Sequence, residues 1–585
     1  MFADVYPLVR LPRRLHAFTY ALPPAGDTQV CVGDLVEVLW RGRRVEAVVA
    51  RLSGAAPSRA IKPIERLVGR FLNPEELRVY EEAAAWTFQS PSSVLLSARI
   101  FTEKPSALSL IKSDTHRFSR NELGLLTSAL AASGNAGFIQ TADVAESAIL
   151  ALLLHKKRRA PTLLLVPHAH DAGVAAGVLA GALPRVRIYD TSQKLSQRAK
   201  IASLWRSGDI PILVGTRAST LLPPPRVLGS IVVARSTVAE HAQTDRNPRY
   251  DARRIAAAWS AVRRCPIISS GSLPGIQDLF AYKTMTKHEG ILSVLANAIV
   301  VPMAASSRKH PLLSDDLLSA VRETLQSRKT AWLVLNRKGV ARAMTCRVCQ
   351  FVEVCGTCKK RLAVYDTHLW CNTCVRATRR PETCRRCGGE VRLVAPGLSA
   401  LAKELARHFP DTPITLVQKG GAQPSIRLGI LLTTDFFFEN FFTPALCSTG
   451  LVALVSFDEE LARSPARVCE YAGAAYRLRA RLLLQTYETS LTDLWRSDPT
   501  SSVERELEAR RHLDVAPFRE EVTLRLAKGA PGTLDAVVEK LHADMPALSL
   551  TPLSDGAVSL APLSPEAVQA LQKLPDSIIL ERIFL

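Results

Sequence analysis

The sequence is short of acidic residues, of aromatic residues and of long apolar runs. Its 585 residues include 54 Asp and Glu against 75 Lys and Arg, so the formal charge is +21, and only 6% of the residues are aromatic. Hydrophobic residues make up 47% of the chain, while Gly and Pro number 30 and 36. Intrinsic disorder needs fewer apolar groups and collagen-like chains need far more Gly and Pro, so both classes are excluded. At roughly 100–200 residues per domain, this length predicts several globular domains.

The sequence also lacks the segments that direct a chain into or across a membrane. It has no run of about 18 apolar residues, and its first residues do not place an apolar stretch before a small-residue cleavage site. We therefore expect a cytoplasmic protein. Its positive charge predicts a polyanionic partner, because Lys and Arg gain affinity for phosphates by releasing condensed counterions. Charge alone does not distinguish DNA, RNA and a contribution to solubility.

Hydrophobic patterns divide the chain into five regions. Apolar runs at 35–40 and 45–52 flank Arg41-Gly42-Arg43-Arg44, which predicts a β-hairpin. Farther along, strands that are apolar on both faces alternate twice with helices, which predicts two α/β units built on parallel sheets. The expected regions are a β-rich N-terminal domain at 1–68, a small winged-helix-like module at 69–115, α/β units at 116–295 and 296–505, and a C-terminal α+β domain at 506–585.

Cysteine is concentrated in one segment. Eight of the 12 cysteines form four C-x2-C pairs inside an insert of the second α/β unit, at 343–392. Two-residue spacing lets both sulfurs of a pair reach one ion at about 2.3 Å, so eight thiolates predict two zinc sites of four cysteines each. Neither site leaves a position for water, which indicates structural rather than catalytic zinc.

The four pairs can combine in two ways. The inner pairs are 12 residues apart, close to the usual ribbon spacing, whereas sequential pairing leaves five residues between the first two pairs. We favour the nested solution, with zinc 1 bound by Cys346, Cys349, Cys384 and Cys387 and zinc 2 bound by Cys355, Cys358, Cys371 and Cys374. Residues 340–395 hold eleven Lys and Arg against four Asp and Glu. The insert therefore either contacts DNA or a protein partner, or its basic residues neutralise the thiolates.

Several stretches carry longer sequence motifs. They are the cysteine-rich stretch at 335–390, VGTRAS at 214–219, NPRYDARR at 247–254, LLLQTY at 482–487 and APFREEVTLRL at 516–526. Together they resemble the PriA family, the primosomal protein N′ of bacterial replication restart. The resemblance implies two RecA-like helicase lobes with the two-zinc insert in the second lobe. It also implies an N-terminal domain that binds the 3′ end of a nascent strand, a winged helix and a C-terminal domain.

The ATPase motifs of the family are altered in this chain. The phosphate loop of G-x-T-G-S-G-K-T type corresponds to 137–146, and no Gly-Lys-Ser/Thr occurs anywhere in the sequence. The acidic D-E-E-H corresponds to Ala234-Arg235-Ser236-Thr237, and the Q-V-A-G-R-A-G-R motif, now at 470–477, loses its first arginine. Phosphoryl transfer depends almost wholly on such positioning and charge stabilisation. We therefore expect a degenerate ATP and Mg²⁺ site, no catalytic residues, and two Zn²⁺ per chain as the cofactors.

The resemblance also implies candidate DNA contacts. The family grips a terminal nucleotide with an aromatic residue, an acid, a hairpin glycine and a lysine, which correspond here to Phe18, Thr19, Gly42 and Lys62. Thr19 replaces the acid, while Phe18 is either a stacking platform or a core aromatic. The hairpin arginines Arg41, Arg43 and Arg44 are candidate phosphate contacts. Arg249, Tyr250 and Arg253 fall in a stretch that resembles the family's DNA-sensing aromatic loop.

Three functions follow as hypotheses. The first is a nucleoid-associated DNA-binding protein that recognises forked or stalled replication structures and promotes reloading of the replicative helicase without ATP-driven unwinding. Its expected partners are forked or single-stranded DNA, the replicative helicase or its loader, single-stranded-DNA-binding protein and other primosome components. The second is an active ATP-dependent 3′-to-5′ DNA helicase with a divergent nucleotide site. The third is a zinc-ribbon nucleic-acid adaptor.

Overall fold

The computed structural model describes residues 1–22, 29–54, 61–99, 111, 120–303, 312–337, 341–357, 359, 362–364, 368–371, 376–419, 428–443, 448–526, 534–546, 548–553, 557–575 and 577–583. Among these residues, no helix combines the length and the apolarity needed to cross a membrane.

A five-stranded antiparallel sheet begins the chain. Its strands are β1 (Phe2–Pro7), β2 (Phe18–Ala21), β3 (Asp34–Trp40), β4 (Arg43–Ser53) and β5 (Ile64–Arg70), in the order β2-β1-β4-β3-β5. Strands β3 and β4 form the predicted hairpin, with Leu35 opposite Val48 and Trp40 opposite Arg43. A bridge between Ala21 and Pro63 brings the two edges of the sheet toward each other.

Two helices, α1 (Pro74–Trp86) and α2 (Pro91–Ala98), follow this sheet. Asn73 and Glu76 form a capping box that fixes the start of α1, as the motif at 73–76 predicts. The Tyr80 hydroxyl on α1 donates to the Leu221 carbonyl at 2.8 Å, and the two helices share one apolar core with the following α/β unit. The helical module therefore packs on that unit.

The first α/β unit, called lobe 1 below, is built on a seven-stranded sheet in the order β14-β6-β13-β10-β7-β9-β8. All the pairings in this sheet are parallel. Its elements are α3 (Arg120–Ser133), β6 (Ala136–Gln140), α4 (Val144–Arg158), β7 (Thr162–Leu165), α5 (Ala169–Ala180), β8 (Arg187–Tyr189), α6 (Leu195–Ser207), β9 (Ile212–Gly215), β10 (Ser230–Ala234), β11 (Ala242–Gln243), β12 (Tyr250–Asp251), α7 (Ala252–Arg263), β13 (Ile267–Gly271), α8 (Ile276–Ala281) and β14 (Met285–Thr286), with β11 and β12 as a separate antiparallel pair.

The second unit, called lobe 2, is built on a six-stranded parallel sheet in the order β15-β25-β24-β16-β23-β22. Its elements are α9 (Glu289–Ala296), β15 (Ile299–Pro302), α10 (Asp315–Gln326), β16 (Thr330–Val334), α11 (Leu398–His408), β22 (Ile414–Val417), β23 (Ile430–Thr433), α12 (Asp435–Asn440), β24 (Thr449–Leu454), α13 (Phe457–Arg463), α14 (Pro465–Leu478) and β25 (Arg481–Thr486), and the cysteine insert interrupts them after β16. Both α/β units thus contain the parallel sheets that the apolar strand patterns predict.

The insert forms its own sheet, in the order β20-β19-β18-β17-β21. These strands are β17 (Ala341–Cys346), β18 (Ala363–Val364), β19 (His368–Cys371), β20 (Arg376–Arg379) and β21 (Val391–Pro396). After lobe 2 come α15 (Thr489–Ser497), α16 (Pro499–His512), β26 (Glu521–Leu526), α17 (Asp535–Asp544), β27 (Ser549–Pro552), β28 (Val558–Ala561), α18 (Pro565–Gln572) and β29 (Ile578–Ile583). The last four strands form an antiparallel sheet in the order β27-β28-β26-β29, so the chain ends in an α+β unit.

Candidate interlobe site, metal centre and DNA interface

The carboxyl ends of strands β6, β10 and β13 face helix α14 of lobe 2. In open α/β sheets, ligands bind at this edge of the strands. The loop after β6 touches α14 directly, because a Cβ atom added to Gly473 would lie 2.3 Å from the Ala142 carbonyl oxygen. Only glycine permits this approach of two backbones, so the two lobes meet closely at the position that corresponds to the phosphate loop.

The amino terminus of α4 is occupied by carboxylates of the chain itself. Asp143 caps the helix by accepting from the Glu146 amide at 3.0 Å, and Glu146 accepts from the Ala142 amide at 2.7 Å. Both carboxylate residues are buried. A helix amino terminus attracts anions because its amides are unpaired and its dipole is positive there. Asp143 and Glu146 therefore hold the place that phosphates take in a phosphate loop.

Arg477 joins these carboxylates to lobe 2. Its Nε lies 3.2 Å from Asp143 Oδ2 and its Nη1 lies 3.7 Å from Glu146 Oε1, and 3% of its side chain is exposed. Burial raises the pKa of Asp143 to about 6, although Arg477 opposes that shift. Arg477 corresponds to the second arginine of the altered motif at 470–477, and here its partners are side chains.

Arg235 makes a second ionic connection between the lobes. Its Nη1 donates to Asp171 Oδ2 at 2.8 Å, and its Nε donates to Glu470 Oε1 on α14 at 2.7 Å. Arg467 approaches the other Glu470 oxygen at 2.6 Å. Burial by itself favours the neutral forms of the Glu470 carboxyl and the Arg235 guanidinium. The neighbouring opposite charges prevail, so the pKa of Glu470 is lowered and that of Arg235 is raised. The side chains of Arg235, Asp171, Glu470 and Arg467 are all at most 10% exposed.

The space left between the lobes at this point is small. A cavity of about 20 Å³ is lined by the loop after β6, by Arg235 and Glu470, and by Phe438 and Phe442 of lobe 2. The guanidinium carbon of Arg235 lies 5.3 Å from the centre of the Phe438 ring, within the range of a cation–π contact. That volume is close to the minimum that one water needs. A nucleoside triphosphate does not fit the site in this conformation.

Four cysteines of the insert converge on one point. The Sγ atoms of Cys346, Cys349, Cys384 and Cys387 all lie within 4.8 Å of one another. Cys346 and Cys387 are separated by 3.4 Å, and Cys349 and Cys384 by 3.7 Å. Tetrahedral zinc with Zn–S distances of about 2.3 Å requires sulfurs about 3.8 Å apart, so the group could hold a metal ion. These are the outer two C-x2-C pairs, as the nested solution requires.

Two backbone amides donate hydrogen bonds to the Cys346 sulfur. The amides of Val348 and Cys349 point at Cys346 Sγ from 3.3 and 3.4 Å. The Cys349 amide is the largest cause that lowers the pKa of Cys346, to about 6. Hydrogen bonds to the charged form favour the thiolate, which is the form that ligates zinc.

The inner set of cysteines is described in part. Cys355 and Cys371 are both buried and pack with Met344, Leu362 and Leu369 in a small apolar core. Cys358 and Cys374 lie outside the described residues.

The tip of the β3–β4 hairpin is basic and exposed. Arg41, Gly42, Arg43 and Arg44 are all exposed, and the turn needs positive φ values of 47° at Arg41 and 79° at Gly42. The Arg41 guanidinium carbon lies 5.6 Å from the centre of the Trp40 ring, and Trp40 packs edge-on against Phe18 at 4.2 Å. Glycine meets the second positive φ without strain. Phe18 is half-buried and therefore presents only part of its ring.

Two further predicted contacts lie at the edges of this sheet. The Thr19 hydroxyl donates to Asp4 Oδ1 at 2.7 Å, so a carboxylate remains directly beside the position where the family has an acid. Lys62 is exposed, and its carbonyl accepts from the Ala21 amide at 3.0 Å.

The candidate DNA contacts at 247–254 are buried to different degrees. Tyr250 is 4% exposed, in the short strand β12, because its ring belongs to the core shared by α1 and α7. Arg253 pairs with Asp251 and donates to the Ser236 carbonyl at 2.7 Å, while the Arg249 amide donates to Gln89 at 2.9 Å. Tyr250 and Arg253 therefore hold this stretch against α1, α7 and the loop after β10, while the Arg249 side chain is half-buried.

Sequence reasoning missed the carboxylates that face the lobe-crossing arginines. Asp143, Glu146, Asp171 and Glu470 are buried, and each has an arginine partner. A signal was available: acids stand in the stretch that replaces a phosphate loop, and an arginine stands where the acidic box is expected. The exchange of charge at these positions indicates new internal partners.

The fold and these sites define a class of protein. Two parallel α/β lobes that pack face to face, a β-rich N-terminal domain and a cysteine cluster define a two-lobed α/β protein with a cysteine-rich insert. Among solved structures, RecG bound to a three-way DNA junction matches 68% of this chain and 48% of its own at a TM-score of 0.36 and 11% identity. The Mycobacterium smegmatis helicase Lhr bound to ssDNA and AMP-PNP matches 77% of this chain and 59% of its own, at a TM-score of 0.36 and 12% identity.

Sequence matches then show which proteins the chain resembles. The family model of the PriA 3′ DNA-binding domain matches residues 8–99. The replication restart protein PriA of Thermotoga maritima is 27% identical over 423 residues, which cover 66% of this chain and 56% of the relative. The PriA protein of Rickettsia prowazekii is 25% identical over 45% of this chain and 44% of its own length. That of Bacillus subtilis is 23% identical over 42% of this chain and 33% of its own length. The chain is therefore similar to PriA replication restart proteins, and it aligns with about half the length of these relatives or less.

Proposed function

We propose that this protein is a DNA-binding replication-restart factor that works without ATP-driven unwinding. It recognises forked or stalled replication structures and promotes reloading of the replicative helicase. The observation that carries the proposal is the interlobe site, where the chain's own ion pairs stand in place of the nucleotide-binding groups. The matched 3′ DNA-binding domain and the relatives named as replication restart proteins support the DNA substrate.

The interlobe contacts support the loss of hydrolysis in two ways. Asp143 and Glu146 repel phosphates from the helix terminus that would bind them, and Arg477 is neutralised by the same carboxylates. Arg235 stands where a carboxylate would activate water. Because phosphoryl transfer gains orders of magnitude in rate from such groups, losing them together removes turnover.

The DNA contact is placed on the N-terminal sheet. Arg41, Arg43 and Arg44 offer three exposed cations at one turn, and Trp40 and Phe18 lie beside them as an aromatic surface. Asp4 supplies the carboxylate that Thr19 has lost, so the 3′-hydroxyl of a terminal nucleotide has an acceptor on this sheet. Gly42 and Lys62 complete the proposed contact.

The insert binds two zinc ions in this proposal. The outer cysteine pairs form zinc 1, and Cys355, Cys358, Cys371 and Cys374 form zinc 2. Burial of Cys355 and Cys371 in one small core supports the second site. Both ions are structural, and they give the basic insert a rigid surface for DNA or for a primosome partner such as single-stranded-DNA-binding protein, the replicative helicase or its loader.

Competition binding tests the proposal against the adaptor hypothesis. Purified protein is titrated with a labelled fork that carries a 3′ end at the junction, and unlabelled fork, plain duplex and RNA are added as competitors. The proposal expects the fork to compete best. Equal competition by all three would contradict fork recognition and favour a zinc-ribbon nucleic-acid adaptor. ATP-dependent strand separation of the same fork would instead favour the active helicase.

A further inference from the structure

We infer that lobe 1 carries a second DNA-binding surface, at the amino ends of its parallel strands, which takes the phosphate backbone of duplex DNA. The inference extends the proposed function, on which it rests for the nature of the ligand. This edge of the sheet lies opposite the interlobe site.

The loops that enter the strands of lobe 1 are rich in cations, and this set is called the basic edge here. It comprises the exposed residues Lys156, Lys157, Arg158 and Arg159 before β7, Arg185 before β8, Arg226 before β10, Arg264 before β13 and Lys283 before β14. The loops before β6 and β9 are Gly134-Asn135 and Gly208-Asp209-Ile210-Pro211. Among the described loops that enter these strands, Asp209 supplies the one carboxylate.

Parallel topology places these residues in one row. All seven strands run the same way, so the amino ends of β14, β6, β13, β10, β7, β9 and β8 follow one another along one edge. Neighbouring strands are about 4.8 Å apart, which gives the row a length of about 29 Å. At about 3.4 Å per base pair, that length matches roughly eight base pairs of duplex.

A cleft at one end of the row shows that the cations converge. His155, Arg159 and Arg185 line a cleft of about 440 Å³ together with Asp209 and the turn at Gly208. Arg158 extends the row toward β6 by donating to Asn135 Oδ1 at 2.9 Å. A cleft with cations on two walls can accept a phosphate and the sugar beside it.

Helix capping alone does not account for the pattern. Basic residues are favourable in the last turn of a helix, which explains Lys156 to Arg158 at the end of α4. Arg185 and Arg226 stand in loops several residues beyond the last turn of a helix. A row that includes loop cations as well as helix ends indicates an external anion, and the surface charge of duplex DNA extends over the required length.

The experiment compares two variants that lose the same charge. The edge variant carries Lys156→Ala, Lys157→Ala and Arg159→Ala, and the control variant carries Lys194→Ala, Lys403→Ala and Arg407→Ala, which are exposed residues away from this edge. Binding is measured by fluorescence anisotropy at several salt concentrations. The ligands are a 12-nucleotide single strand, forks with a 10- or a 30-base-pair arm, and a plain 30-base-pair duplex.

If the basic edge binds duplex DNA, the edge variant should bind the 30-base-pair fork and the plain duplex at least tenfold more weakly than the control variant does. It also expects the slope of log affinity against log salt to fall by about 0.9 for each phosphate that the variant no longer neutralises. The 12-nucleotide strand should bind equally to both variants. Equal affinities and slopes of the two variants on the 30-base-pair ligands would overturn the basic edge. Failure of the proposed function is a different result, namely no preference of the unmodified protein for a fork over plain duplex.

Discussion

Arg235 and Glu470 are the residues on which the interlobe account depends. Both are buried, and each has one further ionic partner, Asp171 for Arg235 and Arg467 for Glu470. A buried ion pair adds little net stability over an apolar pair, but removing one partner costs about 3–5 kcal/mol because the other stays buried and charged. The pair therefore fixes the geometry of the lobes more than it stabilises them.

This asymmetry gives a prediction at the residue scale. Arg235→Ala should lower the free energy of unfolding by about 3–5 kcal/mol, since the buried Asp171 loses its arginine partner while Glu470 keeps Arg467. Arg481→Ala is the matched control, because 45% of its own side chain and 58% of that of its partner Glu323 are exposed, and it should cost about 1 kcal/mol or less. Denaturant unfolding measures both. Equal small losses would show that the Arg235 contacts are not formed in solution.

His241 gives a pH-dependent prediction. Its Nε2 faces the Ala234 carbonyl at 2.9 Å, and burial, followed by Arg253, lowers its pKa from 6.5 to about 3. The unfolded chain therefore binds a proton below pH 6.5 while the folded chain does not, so the stability contributed by the neutral imidazole decreases as the pH falls toward 3. His241→Gln should lose less stability than the unmodified protein between pH 7.5 and pH 5 in urea titrations. Parallel losses would contradict a neutral buried imidazole.

At the scale of elements, the outer cysteine cluster and the hairpin were predictable because their signals are local. Two-residue cysteine spacing and an Arg-Gly turn between apolar strands each specify a structure within a few residues of chain. The inner cysteine set stays a prediction. The buried position of Tyr250 could not be foreseen, because the core that covers it comes from α1, far away in sequence.

The metal centre gives a prediction at this scale. Cys346→Ala should remove one equivalent of zinc and lower the thermal unfolding temperature, because the binding energy of a structural metal is part of the folding energy. Cys355→Ala should remove the other equivalent. Cys469→Ala is the control, since Cys469 is buried in lobe 2 outside the insert, and it should keep two. Metal content by mass spectrometry that is unchanged in the two insert variants would rule out the assigned ligands.

The hairpin gives the other prediction at this scale. Replacing Arg41, Arg43 and Arg44 by Ala should weaken fork binding and reduce the salt slope by up to about 0.9 for each phosphate that these arginines neutralise. Because these side chains are exposed, stability should change little. The measurement is anisotropy at several salt concentrations, and an unaltered slope would exclude the hairpin from the interface.

At the scale of the whole molecule, the sequence predicts the parallel sheets but not the contacts that close them onto each other. Asp143 lies more than three hundred residues from Arg477, and Arg235 lies 235 residues from Glu470. Local patterns carry no information on which charges meet across such separations. The altered ATPase motifs showed only that groups were missing. The structure adds that internal ion pairs lie at these positions.

Nucleotide binding in the presence of forked DNA shows whether the internal ion pairs close the nucleotide site. The protein is titrated with ATP and Mg²⁺ by calorimetry, and phosphate release is followed in the same mixture. A site closed by these ion pairs should give no heat of binding, no release of phosphate, and a fork affinity that ATP does not change. Stoichiometric ATP binding with fork-stimulated phosphate release would contradict it.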